Sequence, residues 1–103
     1  MIGDAPEPGT VVLSRAGRDK GRYFVVVGRV DAEYVLLSDG WLRKLQSPKK
    51  KKIKHIDAKP VTLPAVKEKL ERGAGLYDAE IRQGLEALGY AQGTKRPSGI
   101  EEG

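Results

Sequence analysis

The stretch TVVLSRAGRDKGRYFVVVGRV, residues 10–30, decides the fold. It contains two β-branched apolar runs, TVVLSR (10–15) and RYFVVVGRV (22–30), joined by AGRDKG (16–21). The run from Tyr23 to Val27 is too short for a helix and too rich in valine to favour one. Between the runs, Gly17 and Gly21 bracket Arg18, Asp19 and Lys20, which is turn chemistry. The segment therefore reads as strand, turn, strand.

Further strands follow on the C-terminal side. Asp31 and Ala32 form a tight connection to EYVLLS (33–38), a third strand. Asp39-Gly40 reads as a two-residue hairpin turn, since both residues tolerate positive φ. WLRKL (41–45) sets Arg43 outward against apolar neighbours, and IKHI (53–56) reads as a last short strand. Four or five short strands with tight turns predict a small barrel, which limits exposed sheet edges by closing on itself. The period then changes. TLPAVKEKLERG places Leu63, Val66 and Leu70 at helical spacing, with Thr62 as N-cap and Gly73 as the stop. YDAEIRQGLEALGY places Ile81, Leu85 and Leu88 on one face, with Asp78 and Glu80 at the positive end of the helix dipole. Gly84 costs that helix about 1 kcal/mol relative to alanine, so the helix needs packing support. The expected organisation is a disordered tail (1–7), a barrel (8–59), a helical extension packed on it (60–90) and a second disordered tail (91–103).

A chain of 103 residues without cysteine is expected to form one domain with no disulfide or thiolate metal site. No apolar run is long enough to span a bilayer, and the N-terminal residues lack the pattern of a secretory signal. One histidine, no phosphate-binding loop and no paired-carboxylate signature argue against an enzyme, a cofactor or a small-molecule substrate. The net charge of +5 is unevenly distributed. Residues 41–59 hold 8 Lys/Arg against 1 acid, whereas both flanks are slightly acidic. A basic strip of this kind is the footprint of a polyanion partner, and its bland alternative is a solvated loop.

Three groups of residues could meet a polyanion. The first turn supplies Arg15, Arg18, Lys20 and Arg22 around glycines that let backbone approach a phosphate, with Asp19 diluting the patch or bonding its own backbone. The second group is Trp41, Arg43 and Lys44, where Trp41 either stacks an unpaired base or fills the barrel; burial is the expectation, because most of a tryptophan tends to be buried. The third is SPKKKKIKHI (47–56). Lys49, Lys50, Lys51 and Lys52 are expected to form an exposed connection, since four consecutive ammonium groups cannot enter a core. Ile53 and Ile56 anchor that connection, and strand alternation would put Ile53 and His55 on one face and Lys54 on the other. A lysine run tethered at both ends loses less entropy on meeting RNA than a free tail does.

PGTVVLSRAGRDKGRYFVVV (8–27) resembles the KOW motif, with Gly9, Gly17 and Gly21 at its glycine positions. The order LLSDG, basic run, IKHIDAKP and LYDAEIRQGLEALG is similar to that of the fourteen-e type large-subunit ribosomal proteins of archaea and eukaryotes. It is also similar to that of small bacterial RNA-binding KOW proteins, to which the lysine tract and DAEIR are nearer. The resemblance spans about residues 8–90. It implies a mainly β protein with an SH3-like barrel and two C-terminal helices, cytoplasmic, binding ribosomal RNA beside ribosomal proteins. An import-signal reading of PKKKKIK is disfavoured by the bacterial likeness, and membrane binding by the lack of an adjacent amphipathic helix. The alternative is a protein-binding KOW module that docks on the transcription or translation machinery.

Overall fold

In a computed structural model that describes residues 6–90, β1 (Thr10–Ser14), β2 (Tyr23–Arg29), β3 (Tyr34–Ser38), β4 (Lys49–Lys52) and β5 (Ile56–Thr62) form one antiparallel sheet. The helices α1 (Pro64–Arg72) and α2 (Asp78–Ala87) follow. The strand order β4-β3-β2-β1-β5, with a single 3-10 turn at Ile53–His55 before the last strand, is that of a small SH3-like barrel. No helix of the described residues is long and apolar enough to cross a membrane.

The continuous apolar runs of β1 and β2 have a direct cause: both of their faces are covered. Val12, Phe24 and Val26 point into the barrel, where they meet Val35, Leu37 and Ile56. Val11 and Val25 point the other way and pack under Leu63, Val66, Ile81 and Leu85 of the helical layer. The register pairs Val11 with Val25 and Val12 with Phe24, which keeps the two sets apart.

Both outer strands carry edge chemistry. Pro60 lies in β5, where a missing N–H is tolerated because the strand is at the sheet edge. β4 at the other edge is all lysine, a composition that discourages pairing with another chain.

Several boundaries differ from those the sequence suggests. Residues 41–45 do not form a strand, and Asp39-Gly40 opens a loop over 39–48 instead of closing a two-residue hairpin. Gly40 does have positive φ (74°), as expected, but the Asp39 carboxylate bonds the N–H groups of Trp41 and Arg43 and widens the turn. IKHI is not a strand: Ile53–His55 is a 3-10 turn, and β5 begins at Ile56 and runs to Thr62, past the expected barrel limit at 59. Pro6 is buried and Glu7 bonds Lys67 at 3.0 Å, so two residues assigned to the expected first tail are packed on the fold. Residues 1–5 of that tail, and all of 91–103, lie outside the described residues.

In α1 the N-cap is Leu63, not Thr62, and it has no side-chain cap. Pro64 supplies the first-turn φ, and Gly73 ends the helix in the left-handed conformation (φ 69°). The packing support that Gly84 needs comes from α1's entry. A Cβ at Gly84 would stand 2.7 Å from Leu63 Cδ1, so the glycine makes room for that side chain. Leu88 lies beyond the last turn of α2 and is exposed, contrary to its expected place on the apolar face. Tyr90 instead closes that end by stacking on Tyr23 at 4.4 Å.

Candidate nucleic-acid interface

The connection between β1 and β2, residues 15–22, is the hub of the basic surface. On one side it meets the segment after β3, through the ion pairs Arg43–Asp19 (3.0 Å) and Arg22–Asp39 (3.4 Å). On the other it meets β4 and the 3-10 turn. Lys51 Nζ donates to the Ala16 carbonyl at 2.6 Å, and the Arg15 N–H donates to the His55 carbonyl at 2.8 Å. The three basic groups, separate in sequence, are thus brought together around one loop. Arg15, Arg18 and Lys20 project from it into solvent, and Lys44, Lys50 and Lys54 are exposed on its neighbours.

Two aspartates organise the loop junction. Asp19 belongs to the first loop and takes an arginine from the second; Asp39 belongs to the second and takes one from the first. Both acids are buried, and the exchange braces one loop against the other. Asp19 therefore works across loops through its carboxylate, while its backbone carbonyl closes the turn by accepting the Arg22 N–H at 3.0 Å. Arg22 and Arg43 are half-buried structural partners first, and their Nε–H groups are buried without an acceptor. With Arg18, Asp19 and Leu42 they line an open groove of about 350 Å³.

The lysine run is not a uniformly exposed connection. As a strand it alternates. Lys51 lies opposite the buried Val35, turns inward and is itself buried, its ammonium satisfied by Ala16. Gly17 leaves room for that ammonium, which lies 3.3 Å from where a Cβ would be. Lys50 and Lys52 turn outward and rest over the Tyr34 ring, 4.8 and 5.7 Å from its centre. Lys49 is half-buried. Tyr34 is the site residue that reading the sequence misses. Its signal lies in the β3–β4 register, and lysines are too poor in β propensity for β4 to be recognised from sequence. His55 is half-buried in the 3-10 turn, so the expected strand alternation of Ile53, Lys54 and His55 does not occur.

Trp41 is not a barrel-filling residue. It is 42% exposed, and Leu42 beside it is 58% exposed. The backbone under them is held closely. Asp39 Oδ1 accepts both the Trp41 and the Arg43 N–H at 2.9 Å. Ser38 Oγ donates to the Arg43 carbonyl at 2.7 Å and accepts the Gly40 N–H at 3.1 Å. The sequence expectation of burial fails because Phe24 and Leu37 already fill the barrel interior. A comparison with models of known protein families finds no match.

Proposed function

We propose that this protein binds RNA through the surface centred on residues 15–22, and that its target is ribosomal RNA of the large subunit, in the cytoplasm and beside ribosomal proteins. The observation that carries the reading is the convergence of three basic segments on that loop, through Asp19–Arg43, Ala16–Lys51 and Arg15–His55. Cations gathered on one side of a small domain act together on a polyanion, releasing its counterions. Arginine forks suit phosphate, whereas lysines read charge and not sequence. The choice of ribosomal RNA rests on the resemblance to the KOW and fourteen-e type proteins. Such a protein acts by binding, without a catalytic step. Crosslinking in native cell extract, followed by sequencing of the attached RNA, tests the proposal: enrichment of large-subunit ribosomal RNA is expected, and an RNA-free protein would refute it.

The exposed pair Trp41 and Leu42 favours a second reading, a KOW module that docks on a protein of the transcription or translation machinery. That association would be insensitive to salt, whereas phosphate binding weakens steeply as salt rises.

A further inference from the structure

The loop that carries Trp41 is mounted on a helix distant in sequence. The Leu45 N–H donates to Asp78 Oδ1 at 2.7 Å, at the first residue of α2. One turn later, Arg82 Nη1 donates to the Gly40 carbonyl at 2.7 Å. Gly40 sits directly against the Asp78 carbonyl, where a Cβ would collide. Together with the bonds from Ser38 and Asp39, these contacts fix the backbone on both sides of an exposed indole. Burying that ring in a core would explain so much bracing, but Trp41 is 42% exposed.

An aromatic residue whose backbone is already fixed has less conformational entropy to lose when something stacks on it. Its surroundings narrow what that something is. Leu42 shares a groove with Arg18, Arg22, Arg43 and the one acid Asp19, and Lys44 is exposed three residues beyond Trp41. An apolar partner would have to desolvate these cations, whereas a nucleotide offers a π-face to the indole and a phosphate to the guanidinium and ammonium groups. A continuous RNA duplex keeps its base faces within the stack, so only a loop, bulge or end exposes one. We infer that residues 39–45 form a preorganised platform for an unpaired nucleotide of RNA, and that α2, through Asp78 and Arg82, is its mount.

This inference rests on the RNA-binding reading, and the test separates the two. Full-length protein is titrated with two RNA hairpins of equal phosphate number, one fully paired and one carrying a single-stranded bulge. Because stacking is worth about 1–3 kcal/mol per base, the bulged hairpin should bind roughly 5- to 140-fold more tightly and quench the fluorescence of Trp41, the only tryptophan. Trp41→Ala should bring the ratio of the two affinities to about one. Asp78→Ala is the sharper variant. It removes a negative charge, so electrostatics alone would tighten binding to both hairpins, yet loss of the mount should shrink their ratio. If Asp78→Ala does not fold, Arg82→Gln serves, since a change in overall charge cancels in the ratio. Equal, tight binding of both hairpins by the wild type would overturn the platform while leaving RNA binding intact, and the exposed pair would pass to protein docking. A preference that survives Trp41→Ala, or a ratio unmoved in folded Asp78→Ala, would overturn it too. Failure to bind either hairpin at low salt would remove the RNA reading itself.

Discussion

At the scale of single residues, neighbours of one type have different roles. Lys51 is buried and holds the Ala16 carbonyl, whereas Lys50 and Lys52 face solvent over Tyr34. Lys51→Met should therefore cost about 1–3 kcal/mol of folding stability, because a charge-assisted bond is lost and the Ala16 carbonyl keeps only the longer bond from Ser14 Oγ (3.3 Å). Lys50→Gln and Lys52→Gln should each cost about 1 kcal/mol or less and act on RNA affinity instead. Thermal melts of the three variants separate these roles, and equal melting temperatures would mean that Lys51 is not structural. The positive-φ glycines divide in the same way. Gly21 has φ 87° but open space around it, so Gly21→Ala should cost about 1–2 kcal/mol from backbone strain alone. Gly40 has φ 74° and also lies against Asp78, so Gly40→Ala should cost more and should loosen the Trp41 loop. Equal losses in the two variants would show that the contact with α2 carries no weight.

At the scale of elements, the fold depends on pairings between loops and between helices. Asp39 holds Arg22 and also two backbone N–H groups of its own loop, whereas the Asp19 side chain holds Arg43. Removing one partner of a buried ion pair typically costs about 3–5 kcal/mol, and partial exposure of both arginines lowers that figure here. Asp39→Ala should accordingly destabilise the protein more than Asp19→Ala does, as read by denaturant midpoints. The helices have a pH-sensitive clasp. The Lys69 ammonium, 2.7 Å from Glu80, holds the Glu80 carboxyl below its ordinary value. A depressed carboxyl stabilises the fold above its unfolded pKa and loses that contribution as pH falls through the folded one. The melting-temperature gap between wild type and Lys69→Met should thus be present near about pH 6 and shrink towards about pH 3. A gap independent of pH would mean that the clasp acts through packing and not charge.

These elements were unevenly legible in the sequence. β1, β2 and β3 announce themselves because valine-rich runs covered on one or both faces carry their own pattern. The α1 stop and the acidic start of α2 were equally plain in Gly73, Asp78 and Glu80. β4 was hidden, since a lysine tetrad becomes a strand only by pairing with β3. The Arg43–Asp19 brace joins residues 24 apart, and the loop that carries Trp41 is held by α2, so neither is visible in a local window. For the candidate site, the sequence marked the basic segments but not which of their cations the fold already occupies.

At the scale of the whole molecule, the small barrel carries basic segments that its loops and helices hold in place. The helical layer covers one side of β1 and β2 and, through α2, steadies the loop after β3. The hub loop draws the cations of β4, the 3-10 turn and the Trp41 loop together. RNA binding by this surface through phosphates, as proposed above, is checked most directly by the salt dependence of binding to a structured RNA with single-stranded regions. With three to five phosphate contacts, log K against log salt concentration should fall with a slope of roughly −2 to −4, and Lys50→Gln with Lys52→Gln should make it shallower at temperatures where the double variant remains folded. A slope near zero, or a slope and affinity unchanged in that double variant, would mean that this surface does not bind RNA through its phosphates.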